Sequence, residues 1–298
     1  MDTVESGAVT SRAMKGSFAV LLFLCACGPG AQHGPPGAPD ASSDNADSSN
    51  NTGSDQQGCG GLDNCYSVYA HSDTKLYVVD LMAKTLQLVG PFNAPNNDVI
   101  TDLAVAPDNT IYVISNTAIY TASATDGHVT KIGSLSACGT KGVALTTLPS
   151  GDIWTGDYSG ALCKIDVSQM PPVVSAPVTM GSGMALAGDL VAVDDGTVYG
   201  TAYKLTDQST QTSNILVTID LATGAVTQKG STNAPKLFGT SFAQGQVIGF
   251  THDQTGHVVS IDPATGASTP FATFMDPSTN QPISFAGAGV NSLVPVIQ

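Results

Sequence analysis

Glutamate and arginine are all but missing from this 298-residue chain: Glu5 is its only glutamate and Arg12 its only arginine. From Cys59 onward the charge is carried by 18 aspartates and 8 lysines, a net of −10. Phosphate recognition needs a clustered basic footprint and favours the guanidinium fork, so nucleic acid is excluded as a partner. The lack of glutamate also removes the commonest acid/base pair of glycoside hydrolases and leaves such work to aspartate alone. Tryptophan is down to Trp154. The one strongly apolar run, residues 18–26, is far shorter than the roughly 20 residues a membrane-spanning helix needs. Gly-x-Ser-x-Gly, His-Glu-x-x-His, Walker and Gly-x-Gly-x-x-Gly strand–helix motifs are all missing, and with them the commonest hydrolase, zinc-protease and nucleotide-binding readings.

What the chain has instead is a repeated phrase. Leu-Val-Thr-Ile-Asp-Leu-Ala-Thr-Gly-Ala-Val-Thr at 216–227 returns as Val-Val-Ser-Ile-Asp-Pro-Ala-Thr-Gly-Ala-Ser-Thr at 258–269, with weaker copies at 76–87, 119–130 and 162–173. Anchored on the fifth residue, the series runs Asp80, Ser123, Asp166, Asp220, Asp262, in steps of 43, 43, 54 and 42. A period near 42 in a Gly- and Thr-rich chain predicts an all-β fold, a β-propeller with one four-stranded blade per repeat.

The second blade shows the unit most clearly. Residues 102–106, 111–114, 119–122 and 128–132 alternate apolar and polar positions between Asp-Asn and Asp-Gly turns, the pattern of successive hairpins. Second strands begin near Ile111, Ile153, Val198 and Val247. Four complete units follow an incomplete one at 66–92, and the tail 283–298 supplies what that unit lacks. Five blades are favoured, with six as the alternative. Closing the ring from both termini removes the open sheet edges that invite aggregation. Both Val68–His71 and Leu293–Ile297 fit the second-strand slot of the shared blade, so one or two strands come from the tail. The long step holds an insertion, Lys204–Asn214, between the second and third strands of the fourth blade.

The unit Asp-Leu-Ala-Val-x-Pro-Asp-x-Thr-Ile-Tyr-Val at 102–113, with Ile-Asp-x-Ala-Thr-Gly after it, resembles NHL, YncE-like and gluconolactonase-type propellers, and bacterial lipoproteins that carry such repeats. The resemblance spans 66–298 and lies in blade-building residues. It implies a propeller, and through the gluconolactonase type a metal-dependent lactonase-like hydrolase. That family uses a glutamate among its metal ligands, which this domain lacks.

The N-terminus reads as an address. Lys15, the apolar run and Leu24-Cys25-Ala26-Cys27 resemble a bacterial lipoprotein signal peptide, residues 1–27, with Cys27 as the lipidated residue. Residues 28–58 are Pro-rich, then Ser-, Asp- and Asn-rich, a tether too polar to offset its ordering entropy. The propeller is then 59–298, held at the cell envelope (outer membrane or cell surface) by an acyl anchor that does not cross the membrane. The expected state is a monomer.

Four further cysteines, Cys59, Cys65, Cys138 and Cys163, are an even number in an exported chain and predict two disulfides. Four cysteines allow three connectivities, which the sequence leaves open; in one of them Cys59–Cys65 would clip the start of the first blade. Cys138–Cys163 would lie within the third.

Asp108, Asp152, Asp194 and Asp195 fall in first-to-second-strand turns, and Asp80, Asp166, Asp220 and Asp262 before third-to-fourth turns; recurrence makes them turn formers. Asp102 and Asp189 differ. Each lies nine residues before its second-strand anchor, at the expected mouth of the central channel, where the third blade has Val143 and Ala144. Loops on the same face add Asn116, Asp157, Tyr158, His252 and Asp253. A polar mouth with converging carboxylates is where a propeller would take a ligand, and its oxygens would suit Ca²⁺; no other cofactor is implied. The function expected is that of a binding or scaffolding module for a protein, glycan or envelope component, with the lactonase-like hydrolase as the alternative.

Overall fold

The computed structural model describes residues 66–135, 138, 142–207 and 214–296. The signal peptide, the tether and Cys27, Cys59 and Cys65 lie outside them, as does most of the insertion.

Five antiparallel sheets make the ring. The first blade pairs β21 (Gly287–Gly289) with β1 (Ser67–His71), then β2 (Lys75–Asp80) and β3 (Thr85–Pro91). The second is β4 (Ile100–Val105), β5 (Ile111–Ser115), β6 (Ala118–Ala122) and β7 (Val129–Ser134). The third is β8 (Ala144–Thr147), β9 (Ile153–Gly156) and β10 (Ala161–Asp166), whose outer edge is split between β11 (Val173–Val174) and β12 (Val178–Thr179). The fourth is β13 (Met184–Ala192), β14 (Val198–Lys204), β15 (Ile215–Ile219) and β16 (Val226–Ser231). The fifth is β17 (Leu237–Ala243), β18 (Gln246–Thr251), β19 (His257–Ile261) and β20 (Ser268–Thr273). The ring therefore has five blades, not six. It closes through one strand of the tail. Gly287–Gly289 is the inner strand beside β1, and among the described residues Leu293–Val296 add no second strand.

Burial follows the radius. All nine residues of β13 and all four of β8 are buried, whereas the outer β7 and β20 are mostly half-buried or exposed. Apolar side chains fill the seams between blades, with Tyr77, Phe92, Tyr120, Phe242, Phe250 and Phe285 among the largest fully buried. The repeated Asp-x-Ala-Thr-Gly turn serves two purposes. Asp220 Oδ1 accepts from the Ala222 and Thr223 N–H groups, which fixes the turn between β15 and β16. Gly224 takes φ +74°, and a Cβ there would collide with the Thr179 carbonyl of the preceding blade. Gly127 makes the same close approach to Gly90 and Gly266 to Gly230, so at three seams the phrase supplies both the turn and the contact.

Beyond β21 the tail runs beneath the ring. Asn291 Nδ2 donates to the Ala106 carbonyl at 3.0 Å and to Asn109 Oδ1 at 2.7 Å, in the first turn of the second blade. Farther on, Val296 N–H donates to Asp194 Oδ1 at 3.2 Å and Asp194 N–H to the Val294 carbonyl at 3.2 Å. One short segment thus ties the second blade to the fourth. Cys138 and Cys163 form a disulfide with their Cα atoms 5.9 Å apart, joining the segment before β8 to β10. Among the described residues no helix is long and apolar enough to cross a membrane.

Candidate functional site

The upper face carries the second-to-third-strand loops, and the inner strands begin there. Strand register shows how the axis is filled. Counting three residues on from Val68, Ile111, Ile153 and Val247 gives His71, Ile114, Gly156 and Phe250. Their inner-strand partners are Gly287, Asp102, Ala144 and Gly239. In the fourth blade a bulge between Leu186 and Leu190 places Asp189 at this level. The five blades therefore put glycine, aspartate, alanine, aspartate and glycine around the axis, and the three small residues leave room for two carboxyl groups.

Asp102 and Asp189 fill that room. Both are fully buried, so at this level the expected ligand-taking mouth is a closed centre. Asp102 accepts from the Leu103 N–H at 2.8 Å and, across the seam, from the Leu145 N–H of the third blade at 2.6 Å. Asp189 accepts from the Leu190 N–H at 2.5 Å and the Thr240 N–H of the fifth blade at 2.8 Å, with a longer contact of 3.4 Å to the Ala288 N–H of the first. Between them the two side chains clasp all five inner strands.

Burial and the neighbouring Asp189 charge push Asp102 well above the ordinary carboxylate range. Asp189 is pushed up by burial to about 7, against the pull of hydrogen bonds from Asp102 and the backbone. Two carboxyl groups so close in a dry site do not both ionise near neutrality, so Asp102 keeps its proton and donates it toward Asp189. His71 completes the cluster. A Cβ on Gly287 would fall inside contact distance of both Asp102 Oδ1 and His71 Nε2, which sets the two atoms on either side of that notch. The imidazole is fully buried, its Nδ1 lies 2.8 Å from the Ser72 carbonyl, and Nε2 has no partner. Desolvation lowers its pKa to about 4, so the ring is neutral.

The remaining expected residues lie on the loops above. Asp157 Oδ1 accepts from the Ser159 and Ala161 N–H groups, and Asp253 Oδ1 from the Thr255 N–H and the Thr251 hydroxyl. Both carboxylates are turn formers. Tyr158 is half-buried and its carbonyl accepts the Tyr203 hydroxyl at 2.7 Å. His252 stacks on Phe238 with ring centroids 4.6 Å apart, and its Nδ1 lies 3.0 Å from the Phe285 carbonyl. Asn116 is exposed. The structure joins Asp102 to Asp189 in one cluster and leaves Asn116, Asp157 and Asp253 to their own turns.

A hard cation does not fit this centre. The carboxyl oxygens already accept backbone N–H groups, and among the described residues no three His, Cys, Asp or Glu side chains are grouped to hold a metal ion. The sequence reading missed His71 and the small residues Gly239 and Gly287. Their signal was the three-residue offset from each second-strand anchor, visible once Val68 is recognised as such an anchor.

No protein-family model matches the chain, and neither does any curated protein. Among solved structures it is similar to a chain of a nidogen/laminin complex, 14% identical over 76% of this chain and 98% of that one, with a TM-score of 0.48. TolB from Acinetobacter baumannii is 13% identical over 75% and 65% of the two chains, with a TM-score of 0.43. A streptogramin B lyase is 14% identical over 72% and 70%, with a TM-score of 0.39. At these identities and scores the likenesses transfer no site or activity; the five sheets themselves establish the propeller.

Proposed function

We propose that the chain is an exported β-propeller, tethered to the bacterial cell envelope (outer membrane or cell surface) through an acylated Cys27. In this reading it is a monomeric binding or scaffolding module for a protein, glycan or envelope component. One observation supports it above the rest. The acids best placed for chemistry, Asp102 and Asp189, are sealed in the axis with their oxygens on backbone N–H groups of neighbouring blades. A carboxyl group that clasps inner strands does not meet substrate, so what the ring offers is its surface. Half-buried rings around the upper end of the axis, Tyr158, Tyr203 and Phe238 with His252, supply apolar area with polar tips, a composition suited to recognition. The lactonase-like alternative needs a carboxylate-lined metal centre, and the donor set above does not provide one.

The test has two arms. Cys27→Ser should move the protein from the membrane fraction to the soluble one. Immobilised protein should retain peptidoglycan, lipopolysaccharide or solubilised outer-membrane protein, and Tyr158→Ala with His252→Ala should lose that retention without a change in melting temperature. Retention of none of the three, or lactone hydrolysis that disappears in Asp102→Asn, would overturn the reading.

A further inference from the structure

The lower face holds a groove of about 530 Å³ in the seam between the third and fourth blades. Its floor is apolar, with Leu148, Val198, Ile219 and Leu221, and Trp154 forms one wall. The seam is open for a reason visible in the register. Phe242 pairs with Val247 at the start of β18, as Ala192 pairs with Val198 at the start of β14. In the seam between the fourth and fifth blades Tyr199 stacks on Phe242, with ring centroids 5.8 Å apart and planes 15° apart. Trp154 is the counterpart of Tyr199 in the third blade, and the fourth blade offers it only Ala192. The aromatic pair that closes one seam is therefore missing from the other.

Trp154 is 8% exposed, and its indole N–H has no acceptor. The rim is polar. Asp152 is held 2.8 Å from Lys164 Nζ, Asp220 is fixed by its turn, and Thr197, Thr218 and Thr227 add hydroxyls. Two carboxylates at the rim disfavour an anion. The complement of this lining is a neutral molecule with an apolar face for the floor and several hydroxyl donors for the carboxylates.

We propose that this seam is a binding site for a neutral saccharide of one or two rings, the size its volume admits. The proposal is independent of the upper-face reading, since the two sites lie on opposite faces.

Because Trp154 is the only tryptophan, its emission reports on this groove alone. The full chain is titrated with glucose, galactose, mannose, N-acetylglucosamine and their disaccharides, and with glucuronic acid as the anionic control. At least one neutral sugar should give a saturable change in emission, while glucuronic acid gives none. Ala222 and Ala225 are exposed on the groove's rim, so Ala222→Tyr fills it without entering the core. That variant should weaken binding at least about tenfold by calorimetry, with circular dichroism and melting temperature unchanged. Should Ala222→Tyr disturb folding, Ala225→Tyr makes the same test. The proposal is overturned if no neutral sugar changes the emission up to about 100 mM, if glucuronic acid binds as well as glucose, or if the folded blocking variant binds like the wild type.

Discussion

The axial carboxyl pair makes stability fall as pH rises, opposite to the usual behaviour of salt-bridged acids. Asp102 and Asp189 hold protons in the folded ring that the unfolded chain releases near the ordinary value of 3.8. Wherever the folded state binds more protons than the unfolded one, each extra proton removes about 1.4 kcal/mol of stability per pH unit. Asp189 contributes until about pH 7, and Asp102, raised by burial and by the Asp189 charge, acts in the same direction. His71 opposes them. Its folded pKa of about 4 lies below the ordinary 6.5, so stability rises with pH between those values. Between pH 5 and pH 7 Asp189 alone removes about 3 kcal/mol, His71 offsets about 2 kcal/mol of that below its ordinary value, and Asp102 adds to the loss in the same direction. In a domain of this size each kcal/mol lost lowers the melting temperature by roughly 2–4 °C. Asp276 is held below the ordinary range by Lys75, Ser278 and Tyr77 despite partial burial, so its contribution is lost only in more acidic solution than this window. Asp102→Asn keeps a donor directed at Asp189 and cannot ionise. Its melting temperature should therefore fall less steeply from pH 5 to pH 8 than that of the wild type, whatever the replaced oxygen costs in absolute stability. Differential scanning calorimetry across the range measures both proteins. A wild-type melting temperature that is flat or rises from pH 5 to pH 8, or a variant with the same slope, would refute the shared-proton clasp.

Three more outcomes follow from the same structure. Gly287→Ala drives a methyl group against Asp102 Oδ1 and His71 Nε2 and should destabilise by about 1–3 kcal/mol, whereas Ala at the exposed Gly196, with its open surroundings, should act through backbone strain alone; chemical denaturation separates the two. Breaking the Cys138–Cys163 bridge by Cys163→Ser should remove about 3 kcal/mol, the entropy of a loop with a sequence separation of 25, and equal melting of reduced and oxidised wild type would contradict it. Deleting 283–298 takes away β21 and both ties of the tail beneath the ring; a truncated chain that stays monomeric and melts like the full one would show that ring closure does not depend on the tail.

The fold was legible because a propeller writes its period into turns. The Asp220 and Asp262 copies mark third-to-fourth turns whose chemistry each blade must repeat, and the second-strand anchors Ile111, Ile153 and Val198 begin β5, β9 and β14 as expected. Blade count failed to be unique only where the repeat was degenerate, at the shared blade. Leu293–Ile297 looks like a strand because Val294 and Val296 alternate, but those residues spend their backbone groups on Asp194 beneath the axis. The site was legible as a difference and illegible as a depth. Asp102 and Asp189 stood out because only two blades carry an acid at that level, yet an acid off the repeat reads the same whether it lines an open mouth or fills a closed centre. Depth was decided by the other three blades. Gly287, Ala144 and Gly239 bring the inner strands close enough that two carboxyl groups complete the packing, and their backbone N–H neighbours satisfy them. A larger side chain at any of those three levels would have pushed the acids outward toward solvent, so the burial of each carboxyl group is set by residues in other blades rather than by its own strand.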